Sequence, residues 1–149
     1  MEETIDLNQP GNVSSDAWNS AVIAEFRANG GNVGGVYKGL SLILVHHIGV
    51  RSGIERTTPL VPFCQDDRLF VFASRAGADE HPAWYYNLVA HPTTIVEFGT
   101  DTFPVVARAL TGAERDEIYA KQSAVQPAYA EFQRQTSRVI PVIELQRTQ

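Results

Sequence analysis

Between Leu40 and Ala73 the chain runs through three short apolar stretches, each closed by a tight turn, and this punctuation limits the fold more than anything else in the sequence. Leu40–Ile48 is aliphatic, partly β-branched and fenced by Gly39 and Gly49, which favours a buried strand over a helix. Gly49–Gly53 is a turn. Arg56–Phe63 reads as the return strand, with Pro59 and Pro62 placing parts of it at an edge or bulge. Gln65–Arg68 is a second turn and Leu69–Ala73 a third strand, so the three together predict an antiparallel meander. Thr93–Phe98 and Thr102–Leu110 flank Gly99-Thr100-Asp101 as a second hairpin, and Val139–Leu145 closes the chain as a last strand.

Helices are expected between and around these strands. Ser14, Ser15 and Asp16 are N-cap candidates, and Trp18, Val22 and Phe26 form one helical stripe that Asn29-Gly30-Gly31 ends. That stripe reads as a cover over an open barrel, with a membrane or a greasy substrate as the alternative partner. Gly30–Gly39 is a loop, and Ser74–His81 is another. Pro82–Ala90 is a short helix, Glu114–Ala124 is helical, Gln126-Pro127 breaks it, and Ala128–Gln135 restarts. The sum is a mainly β, α+β chain: about six antiparallel strands closed into a small barrel, with helical covers and an N-terminal helix. Residues 1–13 read as a mobile arm and 14–149 as one domain.

The net charge of −5 argues against a general grip on nucleic acid, which needs a basic face. The single cysteine, Cys64, permits no intrachain disulfide and no cysteine-based zinc site. No apolar stretch approaches the roughly 20 residues of a spanning helix, and Met1–Pro10 lacks the order of a secretory signal. A cytoplasmic protein is expected, with peripheral contact at the inner face of the membrane through the N-terminal helix as a variant of that placement.

Against the acidic average stands one basic island. From Gly34 to Ala76 there are five cations, Lys38, Arg51, Arg56, Arg68 and Arg75, and three anions, Glu55, Asp66 and Asp67. Arg51-Ser52-Gly53 in a turn and Arg56-Thr57-Thr58 just after it combine guanidinium forks, hydroxyls and opened backbone amides, which suits phosphate; an ordinary solvated turn would look the same by spacing alone. Ser74-Arg75-Ala76-Gly77 leaves a strand through small residues, so consecutive N–H groups can lie along a flat ring and its phosphate tail, or simply form a connector. His46 and His47 are adjacent in a strand and point to opposite faces, so they cannot share a metal, and no metal site is expected. Trp84, Tyr85, Tyr86 and Asn87 form an aromatic knot suited to the core, with the polar tips of Tyr85 and Asn87 able to reach a ligand. Tyr129 sits in a helical stretch, where a phenol can bind a carbonyl, donate a proton or merely pack.

Taken in order, Gly49-Val-Arg-Ser-Gly53, Arg56-Thr-Thr-Pro-Leu60, Ala73-Ser-Arg-Ala-Gly77, His81-Pro-Ala-Trp-Tyr-Tyr-Asn-Leu88 and Arg138-Val-Ile-Pro-Val142 resemble the deazaflavin-dependent nitroreductase family, also described as F420-dependent quinone reductases. The resemblance spans roughly Asn29–Leu145. It implies a split β-barrel of the FMN-binding, flavin-reductase type and a cofactor, coenzyme F420, that carries a phosphate and an oligoglutamate tail. By position it implies that Arg51, Ser52, Arg56 and Thr57 face the phosphate and tail, and that Ser74, Arg75, Ala76 and Gly77 line the deazaflavin and phosphate. Trp84, Tyr85 and Asn87 would support that loop or touch the cofactor, and Tyr129 would stand on the substrate side. The departures are Arg75 in place of the family's usual lysine, Ala76 in place of glycine, the surroundings of Pro62, where the family often has an aromatic, and Gln126, Tyr129 and Phe132 where a ladder of tyrosines is usual. They fall mainly on the substrate side.

The implied reaction is hydride transfer from reduced F420 to a quinone, nitroaromatic or enone-type acceptor, with Ser74, Tyr129 or solvent donating a hydrogen bond to the anion that forms. Two other readings are an FMN-dependent oxidoreductase on the same barrel and a non-catalytic barrel that carries a small ligand. The expected partners are a small-molecule hydride acceptor and a second copy of the chain in a homodimer.

Overall fold

Among the described residues seven strands form one antiparallel sheet, and its two outermost strands are joined by only two residues. In the computed structural model, which describes residues 16–148, the strands are β1 (Ile43–Ile48), β2 (Glu55–Leu60), β3 (Phe63–Gln65), β4 (Arg68–Phe72), β5 (Thr93–Phe98), β6 (Asp101–Ala109) and β7 (Val142–Arg147). Their order across the sheet is β2-β1-β5-β6-β7-β4-β3. A flat sheet of that width would separate its edges by about 29 Å at the usual spacing between strands. Yet Leu60 and Phe63 are three Cα steps apart, at most about 11 Å. The sheet therefore has to curl, and Val61-Pro62 bridges its edges. This is the expected split barrel.

The same two residues correct the strand count. Proline lacks the amide a ladder needs, so the single return strand expected over 56–63 is broken into β2 and β3, making seven strands. The three apolar runs consequently form no meander. β1 and β2 make one hairpin, β3 and β4 another, and the two hairpins lie at opposite edges of the sheet. The last strand starts at Val142, later than the expected Val139, because Pro141 also has no amide to contribute.

Among the described residues four helices cover the sheet: α1 (Asp16–Ala28), α2 (Ala83–Ala90), α3 (Gly112–Val125) and α4 (Ala128–Arg134). The expected arm and the cap candidates Ser14 and Ser15 lie outside the described residues. Val22 and Phe26 of α1 are buried against Leu42 and Leu44, with Trp18 packed alongside. Burying a side chain the size of Phe26 is worth about 2–3 kcal/mol. Pro82 caps α2, whose Trp84 and Leu88 pack onto Ile43, Val45, Val96 and Val105. The helices α3 and α4 bring Tyr119, Tyr129 and Phe132 against Phe70 and Phe72 of β4. Between α1, β2 and the segment after β4 the covers leave a gap. The loop expected over 74–81 is tightened there by one 3₁₀ turn, Arg75–Gly77.

Candidate active site

Strand alternation places Arg56, Thr58 and Leu60 of β2 on one face, toward a groove of about 660 Å³. In β1, His47 stands opposite Arg56 and Val45 opposite Thr58, so His47 is the polar continuation of a face that is otherwise barrel interior. His46 points the other way, as expected, and is held by Glu55 through Nδ1 at 2.6 Å and by Glu97 through Nε2 at 2.7 Å.

The opposite wall is the segment that leaves β4. Arg75 and Ala76 have φ of 46° and 52°, and Gly77 has 86°, so three consecutive residues are left-handed. The Gly77 and Ala78 amides are spent within the turn, on the Ser74 and Arg75 carbonyls, whereas the Arg75 and Ala76 amides take no part in it. Left-handed backbone followed by glycine makes an anion-receptive concavity of this kind. Arg138 braces it from behind: its guanidinium donates to the carbonyls of Ala73, Ser74 and Ala78 at 3.1, 2.9 and 2.8 Å. It also donates to His81 Nδ1 at 3.0 Å, which leaves Nε2–H as the proton of a neutral His81 ring. Burial first, and the Arg138 charge second, push the His81 pKa down.

Aromatic and aliphatic groups supply the rest of the lining: Tyr37, Phe72, Trp84, Tyr129 and Phe132, with Leu60 and Val61. Two guanidiniums, Arg56 and Arg75, open onto it against one carboxylate, Glu80, whose side chain is 85 % exposed and meets Arg75 at 3.7 Å. His47 is neutral as well. Burial above all, with the Arg56 and His46 charges, lowers its pKa to about 4. The Tyr129 phenol is buried, and desolvation pushes its pKa far up, so it is a neutral hydrogen-bonding group and a poor acid. The groove thus combines apolar walls with a cation on each side, Arg56 from β2 and Arg75 from the segment after β4, in the size range of small-ligand sites.

Of the residues marked out in the sequence, Arg56, Ser74, Arg75, Ala76, Trp84 and Tyr129 meet around this groove. Arg51 and Ser52 stand in the exposed β1–β2 turn, where Ser52 Oγ accepts from the Ile54 amide. Thr57 faces a second, shallower recess beside α1, which it shares with Arg56. Gly77 packs under the loop against Phe132 and Gln135, Tyr85 packs at a tilt on the His81 ring, and Asn87 is buried beneath the β1–β2 turn. Sequence reasoning took Thr58 only as a hydroxyl beside Arg56 and His47 only as an excluded metal ligand, and missed Tyr37, His81 and the bracing by Arg138. Strand parity with Arg56 would have found Thr58. The other contacts join segments far apart in the chain and leave no local signal. Among the described residues, no three His, Cys, Asp or Glu side chains gather into a metal-holding group, and no helix is long and apolar enough to cross a membrane.

Residues 18–146 match the family described as F420H(2)-dependent quinone reductase. An F420H(2)-dependent quinone reductase of Mycobacterium tuberculosis is 31 % identical over 130 residues, covering 83 % of this chain and 86 % of that protein. A solved structure of an F420-H2 dependent reductase superposes with a TM-score of 0.65 at 35 % identity, covering 70 % of this chain and 93 % of the other. Another solved structure, described as a domain-swapped dimer, superposes with the same TM-score and identity, covering 70 % of this chain and 79 % of the other.

Proposed function

The chain belongs to the F420H(2)-dependent quinone reductase family, and from that premise we propose that the groove between β2 and the 75–77 turn holds coenzyme F420 while its hydride passes to a quinone. The observation that carries the reading is that Arg56 and Arg75 both open onto one aromatic-lined groove, in a chain whose net charge is −5. The donor set fits the cofactor: cations and unspent amides for a phosphate, and flat apolar walls for a ring. When bound, the deazaflavin supplies a two-electron hydride and reacts poorly with oxygen.

The residues then divide the work. Arg56 and Arg75 bind the phosphate, with the Arg75 and Ala76 amides beside them. Arg51 and Ser52 form the outer lip, where an anionic tail leaves the groove toward the recess that Thr57 shares with Arg56. Ser74 hydrogen-bonds the ring edge, and Trp84 and Tyr37 wall the slot against water. Gly77, Tyr85 and Asn87 act at one remove, by holding the loop and the turn. Tyr129 faces the hydride acceptor and donates a hydrogen bond to the oxygen on which charge develops; with its pKa raised, it does so without giving up the proton. Nitroaromatic and enone-type acceptors present similar oxygens and fit the same arrangement. Because one solved relative is described as a domain-swapped dimer, a homodimer is part of the proposal.

Titration of the purified chain with F420 beside FMN and NADPH, followed by oxidation of reduced F420 with menadione, tests the reading. F420 alone should bind tightly, and menadione should then consume the reduced form. Tight FMN binding without F420 binding would transfer the site to a flavin. Binding of F420 with no acceptor-dependent oxidation would leave a carrier instead of an enzyme.

A further inference from the structure

A chain of four polar groups runs from the β1–β2 turn to the groove, and the sense of each of its hydrogen bonds follows from the one before. The Val50 amide can only donate, so the Asn87 atom 3.0 Å from it is the accepting oxygen. The Asn87 amide nitrogen is then the atom that faces His47 Nδ1, at 2.9 Å. Because that nitrogen also donates, Nδ1 must present its lone pair, and a neutral His47 carries its proton on Nε2. Nε2–H points at Thr58 Oγ1, 2.8 Å away, which must accept. The hydroxyl proton of Thr58 is therefore turned away from His47 and is free for the groove that Thr58 lines. Protonating His47 would set Nδ1–H against the Asn87 amide, and the low pKa of this ring, about 4, keeps the chain in one sense above mildly acidic pH.

Thr58 lies between Arg56 and Leu60 on the same strand face. That is where the lining changes from cationic to apolar, and where a flat ligand with an anionic tail changes from tail to ring. We propose that Thr58 is a hydrogen-bond donor to a carbonyl oxygen of the cofactor ring, held in that sense by His47 and Asn87 as positioning residues. The inference rests on the F420 reading of the groove.

Two measurements on the full chain test it. Nitrogen-15 spectra of the histidine rings at neutral pH, without cofactor, should show His47 protonated at Nε2 and bare at Nδ1; the opposite tautomer would overturn the chain of donors. The dissociation constant of F420, read by fluorescence, should rise roughly ten-fold in Thr58→Val, an isosteric change that removes only the hydroxyl, and return to within about two-fold of the parent in Thr58→Ser. Thr58→Val binding as tightly as the parent would sink the proposal while leaving the F420 reading intact. A parent chain that binds no F420 would sink that reading instead, and the ring spectra would still decide whether the donors run as inferred.

Discussion

Arg138 carries more of the site than its distance from the groove suggests. One guanidinium satisfies three carbonyls of the 73–78 segment and fixes the ring of His81, from a position some sixty residues further along the chain. A planar fork can do this and a point charge cannot. Arg138→Lys keeps the charge but leaves at least one half-buried carbonyl unmet, so it should cost about 1–3 kcal/mol of stability in urea unfolding. F420 affinity should fall with it, because the same segment forms the cationic wall. His47 predicts a pH effect of opposite character. Its folded pKa of about 4 lies below the ordinary 6.5, so the unfolded chain takes up a proton first as pH falls. Stability conferred by neutral His47 is complete above about 6.5, declines from there to about 4, and is lost by about 3 kcal/mol in all. Urea midpoints measured across that window should show the decline, and His47→Gln should flatten it.

At the scale of elements, the 3₁₀ turn and α4 depend on one glycine. A Cβ on Gly77 would come within 3.0 Å of the Phe132 carbonyl oxygen, and φ is +86°. Gly77→Ala is therefore strained in both space and backbone, and should destabilise the fold by about 1–3 kcal/mol while lifting the 75–77 turn away from α4. Faster amide exchange confined to these two elements would show it. This glycine stood out in the sequence, but as a cofactor contact; its φ and its neighbour Phe132 belong to an approach between segments that no local pattern encodes. The helices were legible because their stripes and stops are local: Val22 and Phe26 are buried as their spacing requires. The hairpins β1–β2 and β5–β6 were legible for the same reason, through Gly49–Gly53 and Gly99. The break at Val61-Pro62 was visible as two prolines, yet nothing nearby says that the chain there crosses from one edge of the sheet to the other. In the site, Arg56, Ser74 and Arg75 were readable as charge and loop chemistry. The Val50–Asn87–His47–Thr58 chain was hidden, since its bonds join residues 11 to 40 apart.

For the molecule as a whole, curling the sheet and placing the groove are one event. Closure through Val61-Pro62 brings β2, and with it Arg56, across from the segment leaving β4, and with it Arg75. Two cations from distant parts of the sheet then share one field, inside a chain that is otherwise acidic. Some carboxylates are paired away from the groove, as in Glu97 with Arg27 and His46, and Glu144 with Arg68 and Arg108, and the net charge of −5 is what remains after all pairing. An anionic cofactor is repelled by the surface at long range and attracted only near the groove, so salt acts on both. Raising salt from about 0.05 to about 0.5 M shortens the screening length from above 10 Å to about 4 Å, which removes the long-range repulsion and weakens the two close contacts less completely. If Arg56 and Arg75 hold the phosphate in a partly desolvated cleft, F420 affinity should fall by only a few-fold over that range. Arg56→Ala should then cost about 1.5–3 kcal/mol of binding at low salt and leave a flatter salt dependence than the parent. Calorimetric titration at several salt concentrations measures both; parallel slopes in the two proteins would take Arg56 off the phosphate.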